Sequence, residues 1–312
     1  MPAPDLRGLT PAIVTPFDDQ REVDFDGLIS YVSWMKSIPG VVAIVLNSHA
    51  GEGSALTSEE RADIVRTVKA EFADLHVVAG VIGDGTRLAA QEAERAAAGG
   101  ADSLLIFPPP SATRFGFQPG SVQDRYKAVW AAAQLPMVAF QFPNVTKATF
   151  NLPLLLELCA LDGVFALKDG ARDMIRWDTE VPVLRENFPD LQILTCQDEF
   201  LLHTMWESDG ALVGYGALIP ELLVEELTKA KAHDYAAAKE VHDRMLPITK
   251  AVYHRTSHIE STPAMKLGLV ERGILRSAHV RSPLMPLEPS ARENIRAAMI
   301  AAGVDLGVPA QL

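Results

Sequence analysis

Val164-Phe165-Ala166-Leu167-Lys168-Asp169-Gly170 is a short apolar run closed by a lysine and released by an aspartate and a glycine. Apolar residues in unbroken succession, without the alternation of a half-exposed strand, read as a strand covered on both faces. The run has counterparts of the same character: Ala12-Ile13-Val14, Val41 to Leu46, His76 to Val81, Ser103 to Phe107, Met137 to Phe142, Gln192 to Thr195 and Ala211 to Val213, eight in all. Helical patterns fill the intervals. Thr57-Ser58-Glu59-Glu60 is a capping box. Asn151 and Pro153 open another helix, and Gly99-Gly100 close one rich in Ala and Glu. Strand–helix units spaced by roughly 20–35 residues predict an α/β fold, a (β/α)8 TIM barrel. The competing architecture is a doubly wound open sheet, which has fewer strands and a glycine fingerprint after the first. Here Thr15-Pro16-Phe17 follows the first run and cannot cradle a pyrophosphate. Beyond residue 232 the strand runs stop. Residues 234–253, 260–272 and 288–302 read as helices, with Pro283, Pro286 and Pro289 between the last two. The expected division is a barrel catalytic domain over 1–232 and a C-terminal helical appendage over 233–312, packed on the barrel.

The chain has 312 residues, 48% of them hydrophobic, which suits one large domain or a barrel with an appendage. Its net charge of −12 repels phosphate backbones and anionic lipid, so nucleic acid and membrane surfaces are not expected partners. No basic segment precedes an apolar core at the N-terminus, and no apolar stretch reaches membrane-spanning length. Cys159 and Cys196 lie in separate elements without metal spacing, which fits a reduced, cytoplasmic compartment.

Barrel active sites form at the C-terminal ends of the strands. The chain places there Thr15, Asn47-Ser48-His49, Pro109-Pro110-Ser111, Gln141, Lys168-Asp169, Cys196-Gln197-Asp198 and Tyr215. Lys168 is the only lysine immediately at a strand end. An ammonium there is either paired or partly desolvated, and an amine brought to a pKa of roughly 7–8 attacks carbonyl carbon to form a Schiff base. Pairing with Asp169 is the bland alternative. In Ser48-His49-Ala50-Gly51-Glu52 the small residues let backbone N–H groups point into the mouth and hold a carboxylate. An ordinary loop with Gly51 at its turn reads equally well. His49 titrates near neutrality and can shuttle protons, or it can be a hydrogen-bonded loop histidine. His254 and His258, four apart, can share a helix face, but no third metal ligand accompanies them. Ile82-Gly83-Asp84-Gly85-Thr86 is simpler as a helix start capped by Thr86 than as a phosphate loop. Cys196 reads as a small buried hydrophobe, and Asp169 and Asp198 as residues that orient loops. Arg114 and Lys147 can meet a distal carboxylate or simply be solvated.

Several segments together resemble the dihydrodipicolinate synthase / N-acetylneuraminate lyase family of class I, Schiff-base enzymes. Pro11-Ala12-Ile13-Val14-Thr15-Pro16-Phe17 looks like its first strand. Gly51-Glu52 followed by Leu56-Thr57-Ser58-Glu59-Glu60-Arg61 is similar to its second loop and helix, and Ala101 to Leu105 leading to Pro108-Pro109 to its fourth strand. Ser208 to Pro220 and Arg281-Ser282-Pro283-Leu284 fit its last strand and tail. The resemblance covers nearly the whole chain. It implies that Lys168 is the Schiff-base lysine, that no cofactor is needed, and that the protein is a homo-oligomer, dimer or tetramer.

The chain departs from that pattern where chemistry is done. Ser48-His49-Ala50 stands where the family has Gly-Thr-Thr/Ser residues, so an imidazole replaces the relay hydroxyl. Phe140 stands at the family's proton-shuttling tyrosine, Pro110-Ser111 at the synthases' tyrosine pair, and Val145 at the arginine that meets the second substrate. The expectation is therefore a class I lyase, aldolase or dehydratase, acting on a 2-oxo acid through Lys168, and not a true dihydrodipicolinate synthase. Lys168, His49 and Tyr215 are its expected catalytic residues. Ser48, Ala50, Gly51, Ser111, Phe140 and Gln141 are its expected substrate-binding residues, with no metal. The alternative is a non-catalytic protein that binds or senses a 2-oxo acid on the same barrel. Adduct formation at Lys168 followed by product release separates the two.

Overall fold

A computed structural model describes residues 4–307. Eight parallel strands alternate with helices. They run β1 (Leu9–Pro11), α1 (Phe25–Lys36), β2 (Ile44–Leu46), α2 (Ser58–Glu71), β3 (Val77–Val81), α3 (Thr86–Ala98), β4 (Ser103–Ile106), α4 (Ala112–Phe115), α5 (Ser121–Ala133) and β5 (Met137–Gln141). The second half runs α6 (Leu152–Cys159), β6 (Val164–Asp169), α7 (Met174–Asn187), β7 (Gln192–Thr195), α8 (Leu201–Met205) and β8 (Gly210–Val213). Then come α9 (Pro220–Lys231), α10 (Tyr235–Val252), α11 (Ser261–Glu271) and α12 (Pro289–Ala301).

The sheet order β1-β8-β7-β6-β5-β4-β3-β2 is closed by single bridges from Leu9 to Val41 and from Ala12 to Val45. The TIM-barrel expectation holds. Its first strand is displaced, however: the ladder with β8 is made by Leu9–Pro11, and the predicted Ala12-Ile13-Val14 contributes only the Ala12 bridge before running buried into the mouth. Pro11 disguised this, because a proline reads as a strand breaker; here it ends the ladder, where its missing N–H costs nothing.

Strand side chains alternate, and the alternation sorts the core into two parts. Val78, Leu105, Val138, Ala166, Leu194 and Leu212 fill the barrel interior. Their strand neighbours Ala79, Leu104, Ala139, Leu167, Ile193 and Val213 pack outward under the helices. The helix signals read from sequence are present. Thr57 and Glu60 form the reciprocal capping box, Asn151 caps α6 through Leu154 N, and Gly99 ends α3. Thr86 is not a cap: α3 starts at it, and Gly85 occupies the cap position without a side-chain bond.

Candidate active site

The barrel opens at the C-terminal strand ends into a cavity of about 530 Å³. Period two fixes which side chains reach it. Ala166 points into the barrel, so Lys168, two residues on, points the same way one layer nearer the mouth. Val138 does the same for Phe140, and the β5–β6 register sets Phe140 directly beside Lys168. Lys168 lines the cavity at 5% exposure, its Nζ lying 3.9 Å from the centroid of the Phe140 ring. Cys196 lines the same floor. Burial pushes its thiol up to about 12, against the pull of the Lys168 charge, so it stays protonated.

His49 stands on the opposite wall, in edge contact with Phe107 (4.7 Å between centroids) and Phe142 (5.8 Å). Phe140 in turn meets Phe107 at 5.1 Å and Phe142 at 4.7 Å. Beyond these two ring contacts the residue is exposed to the open cavity. Desolvation first and the Lys168 charge second lower its pKa to about 4, so it is neutral at pH 7. Ser48 and Ala50 also line the cavity. Gly51 lies beneath them: its carbonyl accepts from Thr15 Oγ1 at 2.7 Å, and its N–H donates to Ser48 Oγ at 3.4 Å. Among the described residues the amides of His49 and Ala50 donate to no backbone acceptor, which leaves both free to meet an anion.

Four of the nine expected site residues do not line this cavity: Gly51, which lies beneath Ser48 and Ala50, and Tyr215, Gln141 and Ser111. Tyr215 is buried at 1%, and its hydroxyl is bonded to Thr249 Oγ1 (3.0 Å) and Met245 O on α10, so it serves the barrel–appendage contact. It follows β8 directly, but the backbone turns into a 3-10 helix there and swings the ring outward. Gln141 is fully buried; its amide closes a reciprocal pair with Phe150 N and O, because it alternates with the inward Phe140. Ser111 is exposed, with its N–H on Asp84 at 2.8 Å. Arg114 and Lys147 are exposed side chains outside the cavity lining. His254 and His258 share no helix face, since α10 ends at Val252.

Sequence reading missed a polar wall opposite the rings. Arg172 bonds Glu199 (2.7 Å) and faces Asp198 (3.5 Å). Tyr253, at the end of α10, donates to Asp198 Oδ1 at 3.1 Å, and His258 Nε2 lies 3.4 Å from the Arg172 guanidinium. Asp198 also accepts from Tyr215 N, which is the loop-orienting role expected of it. Arg172 lies only four residues beyond Lys168, so proximity could have flagged it; Tyr253 lies outside the barrel units and carried no such signal. Asn47, Glu52 and Arg172, all in mouth loops, have φ of 58°, 53° and 54°. Left-handed backbone at non-glycine residues concentrates at functional sites.

Asp169, beside Lys168, accepts from Ala171 N (2.9 Å) and Gln197 Nε2 (3.2 Å) rather than from the lysine. Burial raises its carboxyl to about 6. The fold therefore disfavours the anion, and stability falls as pH rises from about 4 through 6. Asp169→Asn is expected to stabilise the protein by roughly 1–3 kcal/mol at pH 8 and by little at pH 4. Denaturant melts at the two pH values check it; an equal effect at both would contradict the raised carboxyl.

This geometry has known counterparts. A family model described as the dihydrodipicolinate synthetase family matches residues 5–302. The 4-hydroxy-tetrahydrodipicolinate synthase of Natronomonas pharaonis is 26% identical over 290 residues, covering 93% of this chain and 95% of that protein. The one from Phenylobacterium zucineum is 28% identical over 319 residues, with 96% and 99% covered. Among solved structures, the dihydrodipicolinate synthase of Acinetobacter baumannii complexed with pyruvate superposes with a TM-score of 0.85 at 24% identity, covering 96% of this chain and all (100%) of that one. The Thermotoga maritima enzyme gives 0.86 at 21%, covering 95% and 98%. At these identities the superpositions establish the fold, and the family match, running through every barrel strand and the appended helices, establishes descent. The chain belongs to the dihydrodipicolinate synthetase family and is a Schiff-base enzyme of that family.

Proposed function

We propose that this enzyme is a class I lyase, aldolase or dehydratase, that acts on a 2-oxo acid through Lys168 and is not a dihydrodipicolinate synthase. The observation that carries the reading is the placement of Lys168 Nζ inside the mouth, over the face of a phenylalanine. The free amine attacks C2 of the 2-oxo acid, water leaves, and the protonated imine draws electrons from a neighbouring C–C or C–O bond. The nitrogen is positively charged while it is the protonated imine and loses that charge as the enamine forms; the π face of Phe140 offsets the imine's charge by about 0.5–2 kcal/mol. Phe140 thus stabilises charge where the family tyrosine would carry protons. The substrate carboxylate is held by the free amides of His49 and Ala50 with Ser48 beside them. Val145, at the position of the synthases' arginine, is 96% exposed and offers no anchor for a second carboxylate.

Proton transfer falls to His49, neutral and therefore able to accept. His49→Gln is expected to lower turnover of the 2-oxo substrate by roughly 10²- to 10⁴-fold. Because its pKa is lowered to about 4, the imidazole stays basic from pH 5 to 8, and the acid limb of the wild-type rate is expected near pH 4. A variant at full rate would remove His49 from the chemistry. A binding or sensing role has one supporting observation, the phenylalanine in place of the tyrosine. Incubating the protein with a panel of 2-oxo acids, with and without borohydride, decides: adduct without product favours the sensor, adduct with product the lyase.

A further inference from the structure

We infer that the enzyme's 2-oxo acid carries a single carboxylate and that its distal end is uncharged and apolar, most simply an aromatic ring packed against the Phe107–Phe142 wall. The inference rests on the Schiff-base reading and adds to it the class of group beyond the reacting carbons.

Charge is the first reason. Among the described residues lining the cavity, the guanidinium and ammonium groups belong to Lys168, Arg172 and Arg281. Lys168 is consumed by the imine. Arg172 is held by Glu199 at 2.7 Å and faces Asp198 at 3.5 Å, so two carboxylates answer one guanidinium. Arg281 is clamped by both oxygens of Glu60 (2.6 and 2.8 Å) and approached by Glu22 at 3.3 Å. A distal carboxylate entering this space meets arginines already neutralised and the carboxylates that neutralise them. Desolvating an anion without a new partner is costly.

Shape and chemistry are the second reason. His49, Phe107, Phe140 and Phe142 form one mutually edge-packed cluster with centroids 4.7–6.3 Å apart. Such contacts fix ring orientation and present a stiff apolar face. Ile259, in the 3-10 turn His258–Glu260, and Leu284 add further apolar surface to the cavity. A polyhydroxylated distal chain finds hydrogen-bond partners on the Arg172–Asp198–Tyr253 side and at Ser54, Thr113, Thr146 and Thr262, but leaves any hydroxyl that faces the rings unpaired. An arene buries its faces there without loss.

The test measures imine formation at Lys168 by ligands that differ at the far end. Nζ bonds to C2, the C2 oxygen leaves as water, and borohydride delivers hydride to C2, leaving a stable secondary amine read by intact mass. The ligands are pyruvate, 2-oxo-4-phenylbutanoate, 2-oxoadipate and a 2-oxo-3-deoxy sugar acid, each titrated for half-saturation of the adduct. The phenyl compound is expected to half-saturate at a concentration at least tenfold below those of the dicarboxylate and the sugar acid. Equal or tighter trapping of either of the latter, with pyruvate forming its adduct normally, overturns the inference and leaves the Schiff-base reading standing. No adduct with any ligand, pyruvate included, overturns both. Phe142→Arg, which adds an unpaired cation to the wall, is expected to invert the order in favour of 2-oxoadipate. Should that variant fail to fold, Phe107→Leu is expected to narrow the gap between the phenyl compound and 2-oxoadipate severalfold. A ratio untouched by a folded wall variant likewise overturns the inference.

Discussion

Lys168→Met abolishes the borohydride-trapped adduct and lowers turnover of any 2-oxo acid substrate by roughly 10⁴-fold or more, because the nucleophile and the electron sink are the same nitrogen. Methionine keeps an unbranched, flexible side chain one atom shorter, able to pack against Phe140, so the fold is expected to survive. Replacing a buried charge by an apolar group of similar volume is often neutral or stabilising. A second readout separates loss of the amine from general damage. The Lys168 charge is the smaller of the two causes that hold the His49 pKa down, desolvation being the larger. In the variant the His49 titration, followed by NMR, therefore moves up from about 4 without reaching its ordinary value. Lys168→Arg keeps the charge and removes the nucleophile. It is expected to be as inactive as the methionine variant while leaving the His49 titration low. An adduct that persists in Lys168→Met would mean that another amine does the chemistry, and the assignment would fall. Among the described residues the only other buried lysine, Lys266, is tied to Glu52 at 2.5 Å.

What could be read without coordinates follows from periodicity. Unbroken apolar runs identified seven of the eight strands, because a strand covered on both faces has no polar side to show, and missed the ladder of β1, which lies just before the run Ala12-Ile13-Val14. Position at a strand end then named Lys168, His49 and Ser48, the small-residue loop named Ala50 and the family resemblance named Phe140, and all five line the cavity. The failures have a common cause. Strand-end position gives an address but not a direction: Gln141 is one residue beyond the inward Phe140 and so faces out, and Tyr215 is turned away by the 3-10 helix that follows β8. Arg172 and Tyr253 escaped for a different reason. They meet at Asp198 from the β6–α7 loop and the end of α10, and a contact between residues 55 apart, Tyr253 with Asp198, leaves no trace in local pattern. The electrostatics of the polar wall, and with it the exclusion of a second carboxylate, existed only once the chain was folded.

Lys266→Met is expected to destabilise the protein by about 3–5 kcal/mol, the cost of leaving a buried charge without its partner. The side chains of Lys266 and Glu52 are 0% and 1% exposed. Burial draws the ammonium down to about 8 against the pull of Glu52, so at pH 7 it is still mainly charged. Lys266 Nζ also donates to His279 O at 2.7 Å and lies 4.2 Å from the Phe17 ring, while Glu52 Oε2 accepts from Arg281 N at 2.8 Å. One ion pair thus joins α11, the loop after β2 and the segment that leads to α12. Glu52 is two residues from Ala50, in a left-handed conformation that costs energy unless its surroundings hold it. Removing the lysine frees that strain next to the amides proposed to hold the substrate carboxylate. A higher KM for the 2-oxo acid should therefore accompany the lower midpoint of denaturation. The double variant Glu52→Gln, Lys266→Met is the decisive comparison. Glutamine retains an acceptor for Arg281 N without a charge, so most of the lost stability should return, giving a coupling energy of roughly 2 kcal/mol or more in the cycle. If Lys266→Met alone stays within about 1 kcal/mol of the parent, the pair is not what fastens the appended helices to the mouth. The strain at Glu52 must then be borne by the loop itself.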